Sequence, residues 1–496
     1  MGKDEQVIDM KHTGDSYFDD PSFRRMLENY EDEMAQNRPI FMDIDELADI
    51  ADYYNLIGEY EKAMQATEIS IQLHPGAVYP LVFKAHEALN RNDVAQARHF
   101  AAAIIDKEDI EYKYLVAEIL IAEGDTLQAD IYLENTYRAT AAEDNDNVCI
   151  DCANLFLDYS HTDLSSKWLQ RCHDHHSVSY KETSGKILYV QKNYKKSIEI
   201  FRELIDVNPY DARYWKILAE AHFYNYEMDE AIQCIDYAIA INPNDKDCYG
   251  LRGDCHNYLE DYTEAAKYYK RYYEADQSNI DLNLSYAIAL IHTKQCNEAL
   301  DVLKHIEEAL DSSQNQGQSV YTVSEERTIQ LYIDLALAYT EMGDEGMVLR
   351  CLKHATSNRC TPQQLVAQGH IMLCFNHIAK AKELFVKAMY QERENEKPLL
   401  SMHIAVSLFD NGYIEQCYKI LKKSLSLYKE PIIDTWPYLA LCCIELHRNE
   451  EFLYFLKEAV EKAPLQTQQL LKDLFPVGTE VDEYYDYMYN KINNKL

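Results

Sequence analysis

Glycine, proline and tryptophan are scarce in this sequence of 496 residues, which contains 14 Gly, 12 Pro and 3 Trp. No glycine-rich phosphate-binding loop occurs, and no GxSxG motif is present to hold a nucleophilic serine. The pair His86-Glu87 is not followed by the second histidine that a zinc-protease helix needs. We therefore expect a protein with no catalytic residues and no cofactor.

Basic residues are also few, since 48 Lys and Arg stand against 84 Asp and Glu and give a formal net charge of −36. Nucleic acids and anionic membranes are both bound through basic surfaces, so we expect neither as a partner. No apolar run approaches the length of a membrane span. Two explanations of the acidity stay open: solubility of a large exposed surface, or attraction of a cationic partner.

A signal segment is not visible either, because the chain begins with the charged and polar stretch MGKDEQVIDMKHTGDS. The 13 cysteines are an odd number, and several lie within helical patterns. Both observations fit a reducing compartment, in which cysteine fills small core positions. We therefore expect a cytoplasmic protein.

Small side chains are abundant, and they recur near every 34th residue. The series begins with alanine and serine and, after a wider gap of 49 residues between Ala299 and Val348, continues with valine, alanine, cysteine and phenylalanine. Its members are Ala63, Ala97, Ala129, Ser197, Ala231, Ala265, Ala299, Val348, Ala381, Cys417 and Phe452. Such a period is typical of stacked helix-turn-helix units, each of which buries its core only against its neighbours. We therefore expect an extended surface for binding.

Several units also pair small residues across their two helices, as Ala51 and Ala63 would in the first one. Gly58 stands where the first helix ends, because glycine accepts the left-handed conformation found there. Pro75 stands where the second helix stops, since proline cannot continue a helix. Between residues 146 and 177 no clear small pair is visible, which leaves the register of the fourth unit open.

The first unit reads ADYYNLIGEYEKAMQATEISIQLHP, and two later units place aromatic, small and proline residues in the same order. Their markers are Trp215, Leu218, Ala219, Ala231, Ala238 and Pro243, then Tyr249, Gly253, Tyr262, Ala265 and Tyr269. This pattern resembles the tetratricopeptide repeat over most of the chain. The resemblance implies an all-α, right-handed superhelical solenoid of about twelve helical hairpins, with capping helices at both ends.

We expect six segments along this array. They are a disordered tail (1–20), a capping helix (21–43), repeats 1–8 (44–310), a polar loop (311–326), repeats 9–12 (327–464), and a capping helix with an acidic aromatic tail (465–496). Asp20 and Pro21 fit the N-cap and first position of the first capping helix. The last segment carries Tyr484 and Met488 at helical spacing. We expect it to cap the array, and the alternative is that it lies in the binding groove of its own chain or of a second copy.

In this family the first helix of each hairpin lines a concave groove, so the resemblance implies where a partner would bind. The groove positions are acidic and aromatic in the early units, partly basic in the middle units and apolar in the last units. They are Asp49, Asp52, Phe83, His86 and Tyr114; Lys186, Arg213, Lys216, Phe223 and Tyr258; and Met402, Val406, Phe409, Tyr438 and Leu441. The apolar stretch suits a peptide or helix with aromatic anchors, unless neighbours or the tail cover it.

Some members of the family bind a terminal carboxylate through a clamp of Lys, Asn and Arg. The first three units present Asp and Glu at the clamp positions. Lys186, Arg213 and Lys216 form a basic cluster in the middle of the array, but this cluster lacks the spaced asparagines. A carboxylate site there is therefore the weaker expectation.

One group of residues could bind a metal. Cys149 and Cys152 form a CxxC on one helix, and Cys172 and His175 follow at the end of the next. Antiparallel packing would bring these thiolates and the imidazole together, as a structural zinc site requires. The other explanation is a pair of core thiols with a solvated histidine, since no second CxxC occurs.

The sequence thus predicts a non-catalytic scaffold or adaptor that holds a segment of a partner protein in its groove. The alternative is a regulatory or assembly subunit of a larger enzyme or secretion complex. A zinc-binding protein is the more distant alternative.

Overall fold

Helices account for all regular secondary structure in the part of the chain that the computed structural model describes. Those residues are 17–18, 20–36, 38–140, 145–315, 325–355, 360–428 and 432–493. The chain divides into two compact units, Met1–Ile241 and Asn242–Leu496. In both units, helices pair as antiparallel hairpins, and successive hairpins pack on one another.

The first unit holds α1 and six hairpins. Its helices are α1 Pro21–Ala35, α2 Ile44–Leu56, α3 Tyr60–Leu73, α4 Val78–Asn90, α5 Val94–Ala103, α6 Ile110–Ala122, α7 Thr126–Ala139, α8 Asn145–Asp158, α9 Thr162–Leu169, α10 Val178–Val190, α11 Tyr194–Val207, α12 Ala212–Tyr224 and α13 Met228–Ile241.

The second unit holds six further hairpins and two closing helices. Its helices are α14 Lys246–Tyr258, α15 Tyr262–Ala275, α16 Ile280–His292, α17 Cys296–Asn315, α18 Glu325–Glu341, α19 Glu345–His354, α20 Pro362–Cys374, α21 Ile378–Gln391, α22 Lys397–Asp410, α23 Ile414–Leu427, α24 Thr435–Glu445, α25 Asn449–Lys462, α26 Pro464–Leu471 and α27 Tyr484–Ile492.

Every hairpin turns at one residue in the left-handed conformation, with φ between 56° and 86°. These twelve residues are Gly58, Asn92, Gly124, Ser160, Lys192, Tyr226, Glu260, Lys294, Gly343, Asn376, Gly412 and His447. Glycine adopts this conformation without steric cost, whereas the other side chains adopt it at a cost. The expected number of about twelve hairpins is confirmed.

The fourth hairpin has its small pair after all. The hydroxyl of Ser165 in α9 donates to the carbonyl oxygen of Ala153 in α8 at 2.7 Å, and both residues are fully buried. The fifth hairpin has the same arrangement, in which Ser197 donates to the carbonyl of Gly185 at 3.0 Å. A serine that bonds across the seam thus takes the position that alanine holds in most other units.

The amino-terminal boundary differs from the sequence prediction. Tyr17 and Phe18 were expected in a disordered tail, but the ring of Phe18 is buried and lies 4.9 Å from that of Phe23. Aromatic contact with the first helices therefore fixes these two residues. Asp20 caps α1 by accepting from the backbone N–H of Ser22 at 2.7 Å, as predicted. The rest of the expected tail, residues 1–16 and 19, lies outside the described residues.

The predicted polar loop at residues 311–326 also differs at both ends, because α17 continues to Asn315 and α18 begins at Glu325. A helix that has already formed gains one backbone hydrogen bond for each added residue, so polar residues at its end do not stop it. Residues 316–324 lie outside the described part of the chain.

Two helices close the carboxyl-terminal end. α26 packs on α24 and α25, and α27 packs on α25. The ring of Phe475 stacks on Tyr484 with 3.7 Å between the centroids, and Tyr484 and Met488 are buried in the core of the second unit. These contacts place α27 against the last hairpin, in the position of a cap.

Candidate partner-binding groove

The first helices of hairpins 4, 5 and 6 together line a concave cavity of about 300 Å³. We call it the central polar cavity. Its lining residues are Asn147, Ile150, Asp151, Asn154, Leu157, Asp158, Ser179, Glu182, Thr183, Lys186 and Arg213. All belong to α8, α10 and α12, which are the helices expected to form the groove. Lys186 and Arg213 are thus brought together as predicted, whereas Lys216 is not among the lining residues.

The two cations of the cavity are paired with carboxylates of the same chain. Lys186 Nζ lies 2.6 Å from Glu182 Oε1, one turn earlier on α10. Arg213 binds both carboxylate oxygens of Asp211, at 3.0 Å and 2.6 Å. These hydrogen bonds raise the pKa of Arg213 above its usual value. A ligand carboxylate would therefore compete with built-in acids, which disfavours a site for free anions.

Two asparagines complete the cavity and were missed in the sequence. Asn147 and Asn154 are seven residues apart on α8, with Asp151 between them, so they share one face of the helix. The amide oxygen of Asn154 accepts from the hydroxyl of Thr183 at 3.1 Å. Their spacing of seven residues indicates a shared helix face. Because the register of the fourth unit was open, the sequence did not show whether that face lines the groove. Amides both donate and accept, as peptide backbone does.

The acidic positions of the early units are covered by tyrosines. Tyr17 donates its hydroxyl to Asp49, and Tyr79 donates to Asp52. Burial is the main cause that raises the pKa of both carboxyls. These two aspartates are therefore occupied inside the chain rather than presented to a cationic partner.

The other early positions are also engaged within the array. Phe83 is half-buried, and the imidazole of His86 lies 2.9 Å from Glu118 of the next hairpin. Tyr114 is buried, contrary to the expectation of a groove side chain, and its hydroxyl bonds Asp151 at 3.0 Å. Tyr114 thus supports the central polar cavity from behind instead of lining it.

The remaining two middle positions lie apart from the cavity lining. Phe223 is half-buried and packs edge-on against Tyr224, with 5.3 Å between the ring centroids. Tyr258, at the end of α14, is 54% exposed.

The apolar positions of the last units largely cover one another. Met402 is buried at 5% exposure, so it is a core residue and its assignment to the groove was wrong. Phe409 and Tyr438 meet edge to face with 5.7 Å between the centroids, and burial raises the pKa of Tyr438 to about 12. Val406 and Leu441 are likewise half-buried against the core of the second unit. These four side chains therefore pack on the core of the second unit, and each keeps part of its surface exposed.

The zinc hypothesis is not supported. Cys149 and Cys172 form a thiol pair, but Cys152 is fully buried in the same core, and His175 bonds the carbonyl of Cys172 at 3.0 Å and stacks on Tyr180. Across the described ranges, no group of three or more His, Cys, Asp or Glu side chains could hold a metal ion. The cysteines act instead as small core residues in the seam of the fourth hairpin.

Stacked antiparallel hairpins with small residues at their seams define a helical repeat protein. The family profile described as "Tetratricopeptide repeat" matches residues 183–246, 227–280 and 259–321, which span hairpins 5 to 8. Residues 183–321 of this chain are therefore tetratricopeptide repeats. None of the helices in the described part combines the length and apolar character needed to cross a membrane.

Similarity to individual proteins is remote. "DnaJ homolog subfamily C member 7 homolog" of Dictyostelium discoideum is 21% identical over 243 residues, which is 48% of this chain and 40% of that protein. The chain therefore spans less than half of that relative. The crystal structure of yeast Tom70 has 13% identity and a TM-score of 0.42, covering 91% of this chain and 96% of that one. A Cut9–Hcn1 structure of the APC/C has 12% identity and a TM-score of 0.32, with coverages of 88% and 97%.

Proposed function

We propose that this repeat protein is a non-catalytic scaffold that holds an extended segment of a partner protein in the central polar cavity. Three first helices converge on this cavity, and no side chain from a second helix lines it. It therefore opens on the side of the first helices, where we expect the binding groove. A linear segment fits such a surface better than a compact ligand does.

The observation that carries the proposal is that two asparagine amides share the cavity with two cations, each of which is already paired with a carboxylate of this chain. Asn147 and Asn154 can donate to and accept from a peptide backbone, whatever the side chains of that peptide are. The Lys186–Glu182 and Arg213–Asp211 pairs offer charges of both signs at the opposite wall. We infer a segment of mixed polar sequence, recognised mainly through its main chain.

A reducing compartment such as the cytoplasm suits this scaffold. All thirteen cysteines lie in the described residues as free thiols, and most are buried in helix seams. Oxidising compartments favour disulfides among so many cysteines.

Site-specific photo-cross-linking tests the proposal. A benzophenone amino acid at Ser179 would stand in the cavity, and the same amino acid at exposed Lys195 on the second helix α11 is the matched control. We expect cross-links from Ser179 to one short partner segment, lost when Asn147 and Asn154 are both changed to Ala. Equal cross-linking from both positions, or cross-linking that survives the double change, would refute the cavity as the binding site.

A further inference from the structure

A second cleft lies in the other unit, on the side of the second helices. It has a volume of about 570 Å³ and lies between α19 and α21, with α20 as its floor. Its apolar lining includes Leu349, Leu352, Met372 and Leu384, and its rim carries Lys380 and Lys387. We call it the lysine-rimmed cleft. Because it is built mainly from second helices, it is not part of the groove invoked above.

The cleft coincides with a shortened helix. α19 has 10 residues, whereas the corresponding helices α21 and α23 each have 14. Four residues amount to about one helical turn. Leu349, in the middle of α19, is 47% exposed, although it shares the cleft with the apolar side chains of Leu352 and Leu384. A leucine left half in water beside an open apolar cleft loses part of the stabilisation that burial would give it.

The charge around this cleft is opposite to that of the chain. α19 and α21 carry Arg350, Lys353, Lys380, Lys382 and Lys387 against only Glu345 and Glu383, an excess of three positive charges in a chain with net charge −36. Glu345 is paired with His377 at 2.8 Å and Glu383 with Lys380 at 3.0 Å. Salt limits electrostatic reach to about 8 Å under physiological conditions, so a ligand in the cleft meets these local cations rather than the overall negative charge.

We infer that the lysine-rimmed cleft binds an amphipathic helix of a partner protein, with acidic residues flanking its leucine or phenylalanine anchors. On α21 the lining residues Lys380, Glu383, Leu384 and Lys387 follow one helix face over two turns. A helix laid along that face would place anchors at positions i, i+4 and i+7 into the apolar floor. Its carboxylates would then meet the lysines at the rim.

Two other occupants are disfavoured by the same charges. A second copy of this chain would bring another −36 to the interface. An anionic membrane would present a wide negative plane to a chain whose net charge is −36, and three extra cations at the cleft are too few to hold it there.

Selection from a displayed library of random peptides, each four helical turns long, tests the inference with the full chain as bait. The Leu349→Asp variant serves for counter-selection, because this half-exposed side chain is not part of the buried core. We expect enriched peptides to carry Asp or Glu between Leu or Phe anchors at helical spacing. Each should bind the Leu349→Asp variant about tenfold more weakly or worse. Thermal unfolding checks that the variant folds, and Leu349→Ser is the milder substitute if it does not.

A charge-reversal pair provides the second arm. Changing Lys380 and Lys387 to Glu should weaken the selected peptides by at least about tenfold. The control changes Lys419 and Lys423 on α23 to Glu, which alters the net charge equally at exposed positions away from the cleft, and should leave binding unchanged.

Four results would overturn the inference. Two concern the peptides: enriched peptides without acidic residues, or peptides that bind both variants as tightly as the parent chain. The other two are a dimer in sedimentation that Leu349→Asp dissociates, and Lys380-dependent binding to phosphatidylcholine vesicles that contain one fifth phosphatidylserine. The last two would assign the cleft to a second copy or to a membrane.

Discussion

Ser165 in α9 donates a hydrogen bond to the backbone carbonyl of Ala153 in α8 at 2.7 Å, across the seam of the fourth hairpin. Changing Ser165 to Ala keeps the small volume and removes only this bond, which should cost about 1 kcal/mol. Changing it to Leu overpacks the seam and should cost roughly 1–3 kcal/mol. Amide hydrogen exchange in α8 and α9 measures both. Equal effects of the two substitutions would show that the seam is not sterically tight.

The left-handed residues of the hairpin turns give a second prediction. Lys192 adopts φ 61°, so Lys192→Gly should stabilise the fifth hairpin by about 0.5–1 kcal/mol. Gly58 adopts φ 80°, and a Cβ there would meet no other atom within 4 Å. Gly58→Ala should therefore destabilise the first hairpin by about 1 kcal/mol through backbone conformation alone. Thermal unfolding of both variants tests this, and shifts of the same sign would contradict it.

Asp334 predicts a pH dependence of stability. Its carboxyl is fully buried in α18, accepts one hydrogen bond from Gln330 at 2.9 Å, and burial raises its pKa to about 7. The folded state therefore holds the proton more tightly than the unfolded state. As pH rises from the ordinary aspartate pKa of 3.8 to about 7, Asp334 lowers the free energy of unfolding. Asp334→Asn should remove that loss and stabilise the protein at pH 8 by roughly 2–4 kcal/mol.

Denaturant unfolding at pH 5 and pH 8 measures the effect of Asp334→Asn. Asp301→Asn, at an exposed position of the same unit, is the control and should change neither value. An Asp334→Asn variant whose stability falls with pH as steeply as that of the parent would show that the carboxyl is not the cause.

Phe409 and Tyr438 give a prediction about packing. Their rings meet edge to face at 5.7 Å, so each supports the other. Alanine at both positions should cost less than the sum of the single changes, with a coupling of about 0.5–1.5 kcal/mol. A double-mutant cycle measures this, and additive effects would mean that the rings do not support each other. Binding of aromatic partner anchors at this pair stays a prediction.

Much of the fold could be predicted, because small residues must recur wherever two helices approach closely. The fourth hairpin escaped prediction since Ser165 replaces alanine through a hydrogen bond, which volume alone does not reveal. Glycine marked only four of the twelve turns; residues such as Lys192 and Tyr226 tolerate the left-handed conformation because the rest of the hairpin holds it.

The site was predicted less well, because groove exposure depends on the rotation of each helix about its axis. Lys186 and Arg213 line one cavity, and their partners Glu182 and Asp211 decide their chemistry; binding of a partner there stays a prediction. Met402 has a groove position in the repeat pattern and lies in the core instead. A repeat pattern fixes the position of a residue along a helix to within a residue or so. That is too coarse to separate side chains that line the groove from side chains that lie behind it in the core.

The most direct measurement is amide hydrogen exchange of the full chain. It is compared between the free chain and the chain saturated with the partner segment that is identified by cross-linking from position 179. Binding in the central polar cavity predicts slower exchange concentrated in α8, α10 and α12, with α22 and α24 unchanged. Protection centred on α22 and α24, or no protection in the three cavity helices, would contradict it.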